Sequence, residues 1–208
     1  MTVEERMKAG MKELNDQIGE WGNAILSYDG QGAAIVGAAY VEQRLESLLR
    51  AVFVEVKLGN ALLEDARTLG SFSAKIDLAK AIGLIDLETA SRLHCIRKVR
   101  NEAAHSDHGY KLETEQDLSR VSAFVYGDRA DRIVKRSVRV RYFVLCIEQV
   151  AVLTARRILV EMLVSDGFAT TPGRVLPEMS RGSGEDVVSQ LYRWFEEIAS
   201  EAPEPPVS

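Results

Sequence analysis

Cysteine is scarce in this chain of 208 residues, which has only two, Cys95 and Cys146. Both sit inside apolar helical patterns and lack the paired spacing of a metal knuckle or redox motif. They read as buried free thiols, which suits a reducing cytoplasm. Long apolar runs are missing as well. The stretch 142–147 is one of the longest, far short of the roughly 20 residues that a membrane span needs. The opening MTVEERMKAGMKEL carries both charge signs and no apolar h-region, so neither a secretory signal nor a membrane partner is expected and the cytoplasm is the expected location. Histidine numbers three. His105 and His108 are close in sequence but fall in a breaker segment with no second cluster of ligands, so no metal or other cofactor is expected. A P-loop, a Rossmann glycine fingerprint and a GxSxG elbow are all missing. An excess of positive charge is lacking too: the net charge is −5 and the isoelectric point near 5.4. That excludes a surface that coats nucleic acid throughout, since such binding rests on Lys and Arg neutralising phosphates, and leaves room for a local basic patch.

What is present is amphipathic helix. A hydrophobic share of 46% with 27% charged residues is that of a soluble globular chain. Thr2 is a fitting N-cap for a first helix in which Met7, Met11, Leu14, Ile18, Trp21 and Ile25 recur at helical spacing, ending near residues 27–30 in the turn SYDGQG. Residues 33–58 form a second helix, whose small residues Gly37, Ala38 and Ala39 let a neighbouring helix approach closely. Glu42, Arg44 and Glu46 border its other face, where the acidic pair can face the basic segment later in the chain. Residues 62–69 connect. Ser71 then caps a helix with Phe72, Ile76, Leu78, Ala79 and Ile82 as its apolar set and Gly83 as its stop, and Asp86 caps the next, which runs to about 106–109. A short helix follows over 114–124. Residues 138–164 make a long helix, apolar on nearly all sides, which places it at the centre of the bundle. A strand over SVRVRYFVL competes by its alternation, but the apolar pattern continues too long for one strand. The expected fold is all-α, a helical bundle over 1–166 with a long central C-terminal helix. A loop or linker over 167–184, a docking helix over 185–200 and a disordered tail over 201–208 complete the organisation.

The basic run YGDRADRIVKRSVRVR supplies a candidate nucleic-acid patch, because Arg132, Lys135, Arg136 and Arg139 share a helix face. It lacks interleaved aromatics for stacking, which is the composition of a solvated face. No recognition helix preceded by a tight helical turn is evident, so reading of a specific operator is not supported.

Chemistry concentrates in LHCIRKVRNEAAHS, residues 93–106. At about 100° per residue, Arg97, Asn101 and His105 form one ridge, with His94 at its near end. Arg100 is offset from His105 by about 140° on a straight helix, so one helix does not aim both at one point unless it frays or a second copy supplies one of them. Two readings stand. In one, the segment is a solvated face beside Glu88 and Glu102, with His105 at the helix C-terminus where the dipole favours it. In the other, arginine clamps a phosphate and histidine transfers protons near neutral pH.

GSFSAKIDLAKAIGLID at 70–86 followed by LHCIRKVRNEAAHS at 93–106 resembles the mannitol operon repressor (MltR-like) family, densely over about 33–124. That resemblance implies a helical bundle and a transcriptional regulator without its own operator-reading element, acting on a protein partner such as another regulator. RNEAAH also resembles the R-x4-H motif of HEPN domains, which include metal-independent endoribonucleases working as dimers. This second resemblance implies that Arg100 binds the scissile phosphate, that Asn101 is the polar residue following it, and that His105 acts in proton transfer, with RNA as substrate. A homodimer is the expected assembly. The expectations therefore divide between a regulatory interaction module with a binding ridge of His94, Arg97, Asn101 and His105, and a nuclease using Arg100, Asn101 and His105.

Overall fold

The computed structural model describes residues 27–53, 55–64, 67–106, 109–122 and 137–165, with positions 5, 8–10, 12, 21, 22 and 25 before them. Six helices are defined there: α1 (Gly30–Arg50), α2 (Val56–Leu62), α3 (Phe72–Ala81), α4 (Leu87–Ala104), α5 (Glu115–Ser122) and α6 (Val138–Ser165). All regular structure among the described residues is helical, as the periodicity predicts. The expected linker, docking helix and tail lie outside the described residues, as do His108, Arg129, Arg132, Lys135 and Arg136.

Two of the helix starts are read correctly from single residues. Ser71 Oγ accepts from the Ala74 amide at 3.1 Å, and Asp86 Oδ1 accepts from the Thr89 amide at 2.7 Å, each meeting one of the orphan donors of a first turn. Gly83, with φ of 76°, takes the left-handed conformation that closes α3. Thr114 likewise caps α5, its hydroxyl accepting from the Asp117 amide at 3.1 Å.

Other boundaries differ from the sequence reading. Gly30 opens α1 instead of closing the helix before it, because Asp29 caps the new helix by accepting from the Gly32 amide at 2.7 Å. A Cβ at Gly30 would lie 2.2 Å from the Lys111 backbone, so the glycine is there to let the chain before α5 pass. The helix expected over 33–58 stops at Arg50. The chain turns back at 51–53, the Phe53 ring packs where a Cβ of Gly59 would otherwise sit, and Arg50 Nε donates to Asn60 Oδ1 at 3.1 Å. The strand weighed for SVRVRYFVL is helix from Val138 onward.

α6 is the centre of the bundle: none of its residues from 141 to 160 is exposed. It packs most extensively on α1, and α4 lies against both. The close approach expected from Gly37 is observed, since a Cβ there would meet Tyr142 at 3.1 Å and Cys146 Sγ at 3.2 Å. The buried Tyr142 hydroxyl donates to the Ala34 carbonyl at 2.9 Å, which removes the penalty of burying it. α3 lies across α1 and α4, and its buried face is Phe72, Lys75, Ile76 and Ala79. Phe72, Ile76 and Ala79 of the expected apolar set are buried and Leu78 packs against the core, whereas Ile82 is exposed and Lys75 joins the buried face. No helix among the described residues is long and apolar enough to cross a membrane.

Candidate functional site

Three helices enclose a cleft of about 380 Å³. On α1, spacings of three and four residues line up Ala39, Glu42, Gln43 and Glu46. The start of α3 contributes Gly70 to Ser73 and Lys75, and α4 contributes Arg97, Arg100 and Asn101. Spacings of three and four put residues on one helix face, which is why Arg100 joins Arg97 and Asn101 here. The ridge read from the sequence is thereby divided. Arg97 and Asn101 line the cleft, whereas His105 is the exposed C-cap of α4. His94 sits apart with its Nε2 3.4 Å from Asp77 Oδ1.

The acidic wall is already satisfied. Lys75 Nζ donates to Glu42 Oε1 and to Glu46 Oε1, both at 2.6 Å, and Arg50 adds a contact to Glu46 at 2.9 Å. Lys75 is only 1% exposed. Burial by itself pulls its ammonium pKa down, and the hydrogen bonds and charges of the two glutamates outweigh that effect, so the group ends above its ordinary value. These glutamates share the cleft with Arg97 and Arg100 of the basic segment they were expected to face, but the residue that pairs with them is Lys75 of α3.

The basic wall is differently placed. Arg100 Nη1 donates to Asn101 Oδ1 at 3.2 Å, and neither Arg97 nor Arg100 has a carboxylate partner among the described residues. Arg97 Nε is shut off from solvent with no acceptor. Two guanidinium groups thus line a polar cleft with no described carboxylate within ion-pair distance of either.

Sequence reasoning missed Lys75 and the first turn of α3. The signal was available: Lys75 occupies the apolar stripe of its helix, and a lysine on a buried face calls for an acidic partner. Of the basic patch, Arg139 is described; its Nη1 donates to the Tyr28 carbonyl at 3.2 Å, tying the start of α6 to the bend before α1. Among the described residues no group of three His, Cys, Asp or Glu could hold a metal ion.

No family model matches the sequence, and no curated protein matches it. In fold, the chain is similar to MtlR in the X-ray structure of the MtlR-HPr complex from Escherichia coli. The TM-score is 0.54 at 16% identity, over 68% of this chain and 99% of that one.

Proposed function

We propose that this chain is a transcriptional regulator of the MtlR type, which works in the bacterial cytoplasm by binding a protein partner and carries no operator-reading motif of its own. The observation that carries the reading is the likeness to MtlR, which extends over 99% of a chain crystallised with HPr. The resemblance of residues 70–106 to the mannitol operon repressor family supports it from the sequence side. On this reading the helical bundle of 1–166 is the working domain, the segment 185–200 docks on it or on a partner subunit, and the protein is a homodimer. HPr is the first partner to test. Mixing the full chain with HPr should give a complex that elutes ahead of either component, with a saturable heat on titration. Unchanged elution and no heat overturn HPr as the partner. Sedimentation equilibrium that shows only monomer overturns the dimer.

A second reading, the metal-independent endoribonuclease, is favoured by one feature: Arg100 and Asn101 stand side by side on the cleft wall with the guanidinium unpaired by any described carboxylate. His105 of the same chain does not line that cleft, so the nuclease needs His105 from a second copy. Incubation with RNA in EDTA, beside Arg100→Ala and His105→Ala, decides it. No cleavage, or equal cleavage by all three proteins, removes the nuclease. Direct repression through Arg132, Lys135, Arg136 and Arg139 is a weaker reading, which a gel shift with no retarded band at low salt eliminates.

A further inference from the structure

We propose that the cleft between α1, α3 and α4 is a binding site for a small phosphomonoester, held by Arg97, Arg100 and the N-terminal turn of α3. The inference is independent of which protein the chain binds. Its first support is a charge imbalance across one cavity. Glu42 and Glu46 are each held by Lys75, and Glu46 also by Arg50, so the acidic wall is neutralised within the fold. The facing wall is not: Arg97 has no hydrogen-bond or ion-pair partner among the described residues, and Arg100 has only the amide oxygen of Asn101. Its second support is that Arg97 and Arg100 lie three residues apart on one face of α4, so both side chains line the same cleft. Its third is the backbone. Phe72 and Ser73 line the cleft as the first two residues of a ten-residue helix, and first-turn amides have no acceptor within their own helix and carry the positive end of its dipole.

The donor set selects the ligand. Two planar guanidinium forks and a pair of amides match the three terminal oxygens and double charge of a phosphomonoester, with more donors than a carboxylate uses. The cleft volume of about 380 Å³ suits a small molecule. Gln43 and the paired glutamates on the opposite wall are acceptors for hydroxyl groups on its body.

Titration of the isotope-labelled full chain with inorganic phosphate and with glycerol 3-phosphate, at constant ionic strength, tests the site. Saturable amide shifts at Phe72 and Ser73 and at the arginine side chains are expected. Arg97→Gln and Arg100→Gln should each weaken binding roughly tenfold to a hundredfold with the helical circular dichroism unchanged. Arg97→Lys, which retains the charge and loses the fork, should lie between and serves if Arg97→Gln does not fold. Affinity should fall as the pH is lowered through about 6, where the monoester loses its second charge. Absence of saturation with both probes, or wild-type affinity in Arg97→Lys and Arg100→Gln, overturns the site. Affinity that does not change with pH overturns the monoester assignment, as does an RNA oligonucleotide without terminal phosphate that binds where both probes fail. HPr binding is scored separately, so either conclusion can fail alone.

Discussion

Arg156 of α6 donates from Nη2 to Oδ2 of Asp86 at 2.6 Å, joining the central helix to the residue that caps α4. Its other nitrogen, Nη1, donates to the Leu84 carbonyl at 2.9 Å. One side chain thus holds the turn between α3 and α4 against the core, and α4 carries the arginines of the cleft.

Arg156→Met should destabilise the protein by about 2–4 kcal/mol, because it strips the buried Leu84 carbonyl of its partner and leaves the cap without its counter-charge. Asp86→Ala should cost at least the ~1 kcal/mol of a lost N-cap, together with the penalty of leaving the buried guanidinium unpaired. Urea denaturation of both single variants and the double variant measures the coupling, and additive effects would show that the two groups do not act together.

The same carboxylate sets a pH dependence. Burial pushes the Asp86 pKa up, but hydrogen bonds from Thr89 and the charge and hydrogen bond of Arg156 outweigh it, leaving the group below its ordinary 3.8. A depressed carboxylate contributes stability that is complete above the unfolded-state value and is lost as the pH falls through the lower folded-state value. The wild type should therefore lose stability below about pH 4 more steeply than Asp86→Asn, in urea midpoints collected downward from about pH 6.

Lys75 is the keystone of the acidic wall. Lys75→Met should destabilise by about 3 kcal/mol at neutral pH, since it removes the cation shared by two glutamates, each about one-fifth exposed, leaving Arg50 on Glu46 alone. Adding Glu42→Gln and Glu46→Gln to that variant should recover part of the loss. Because the lysine pKa is raised, the stabilisation it supplies in the wild type is complete below 10.5 and disappears only as the pH rises through the folded-state value above it. Thermal melts of the three proteins check both statements, and a Lys75→Met protein as stable as the wild type would contradict the assignment.

Gly30 and Gly37 both stand at close approaches, and their alanine variants should differ. A Cβ at Gly30 meets Lys111 backbone atoms at 2.2 Å, which no side-chain rotation relieves. Gly30→Ala should therefore cost about 1–3 kcal/mol or displace the segment before α5. At Gly37 the nearest atoms, at 3.1 Å and 3.2 Å, belong to the Tyr142 and Cys146 side chains. Their small adjustment offsets the ~1 kcal/mol gain in helix propensity, so Gly37→Ala should be near neutral and Gly37→Leu strongly destabilising.

Cys95 and Cys146 should be silent towards a water-soluble disulfide reagent in the native protein at about pH 8 and should both react in denaturant. Both are buried and outside any disulfide, and burial, more than any neighbour, pushes the Cys146 thiol well above its ordinary value despite its hydrogen bond with Tyr142. Rapid native labelling at either position would show that the centre of the bundle opens.

Much of this was legible in the sequence because it is local. Ser71, Asp86 and Gly83 mark helix ends through bonds and dihedral angles confined to a few neighbouring residues. The length and apolar coverage of α6 distinguish a central helix from a strand. The end of α1 was not legible, since the stop at Arg50 depends on Phe53 meeting Gly59 after the chain has doubled back. Gly30 misled for a related reason: its neighbours in sequence suit a turn, while the group that requires a glycine there is Lys111.

The sequence by itself determined the helical class, the positions of most caps, the close approach at Gly37 and the concentration of cations in residues 93–106. These follow from period, side-chain size and first-turn hydrogen bonding, which act over one or two turns. Only the tertiary structure decided which cations share a cleft. Lys75 takes both glutamates of α1 because α3 packs against α1 as well as α4, and Arg97 and Arg100 are left without carboxylate partners among the described residues. His105 leaves the group because α4 ends one residue before it. Charge pairing across helices depends on distances that no spacing along one helix specifies.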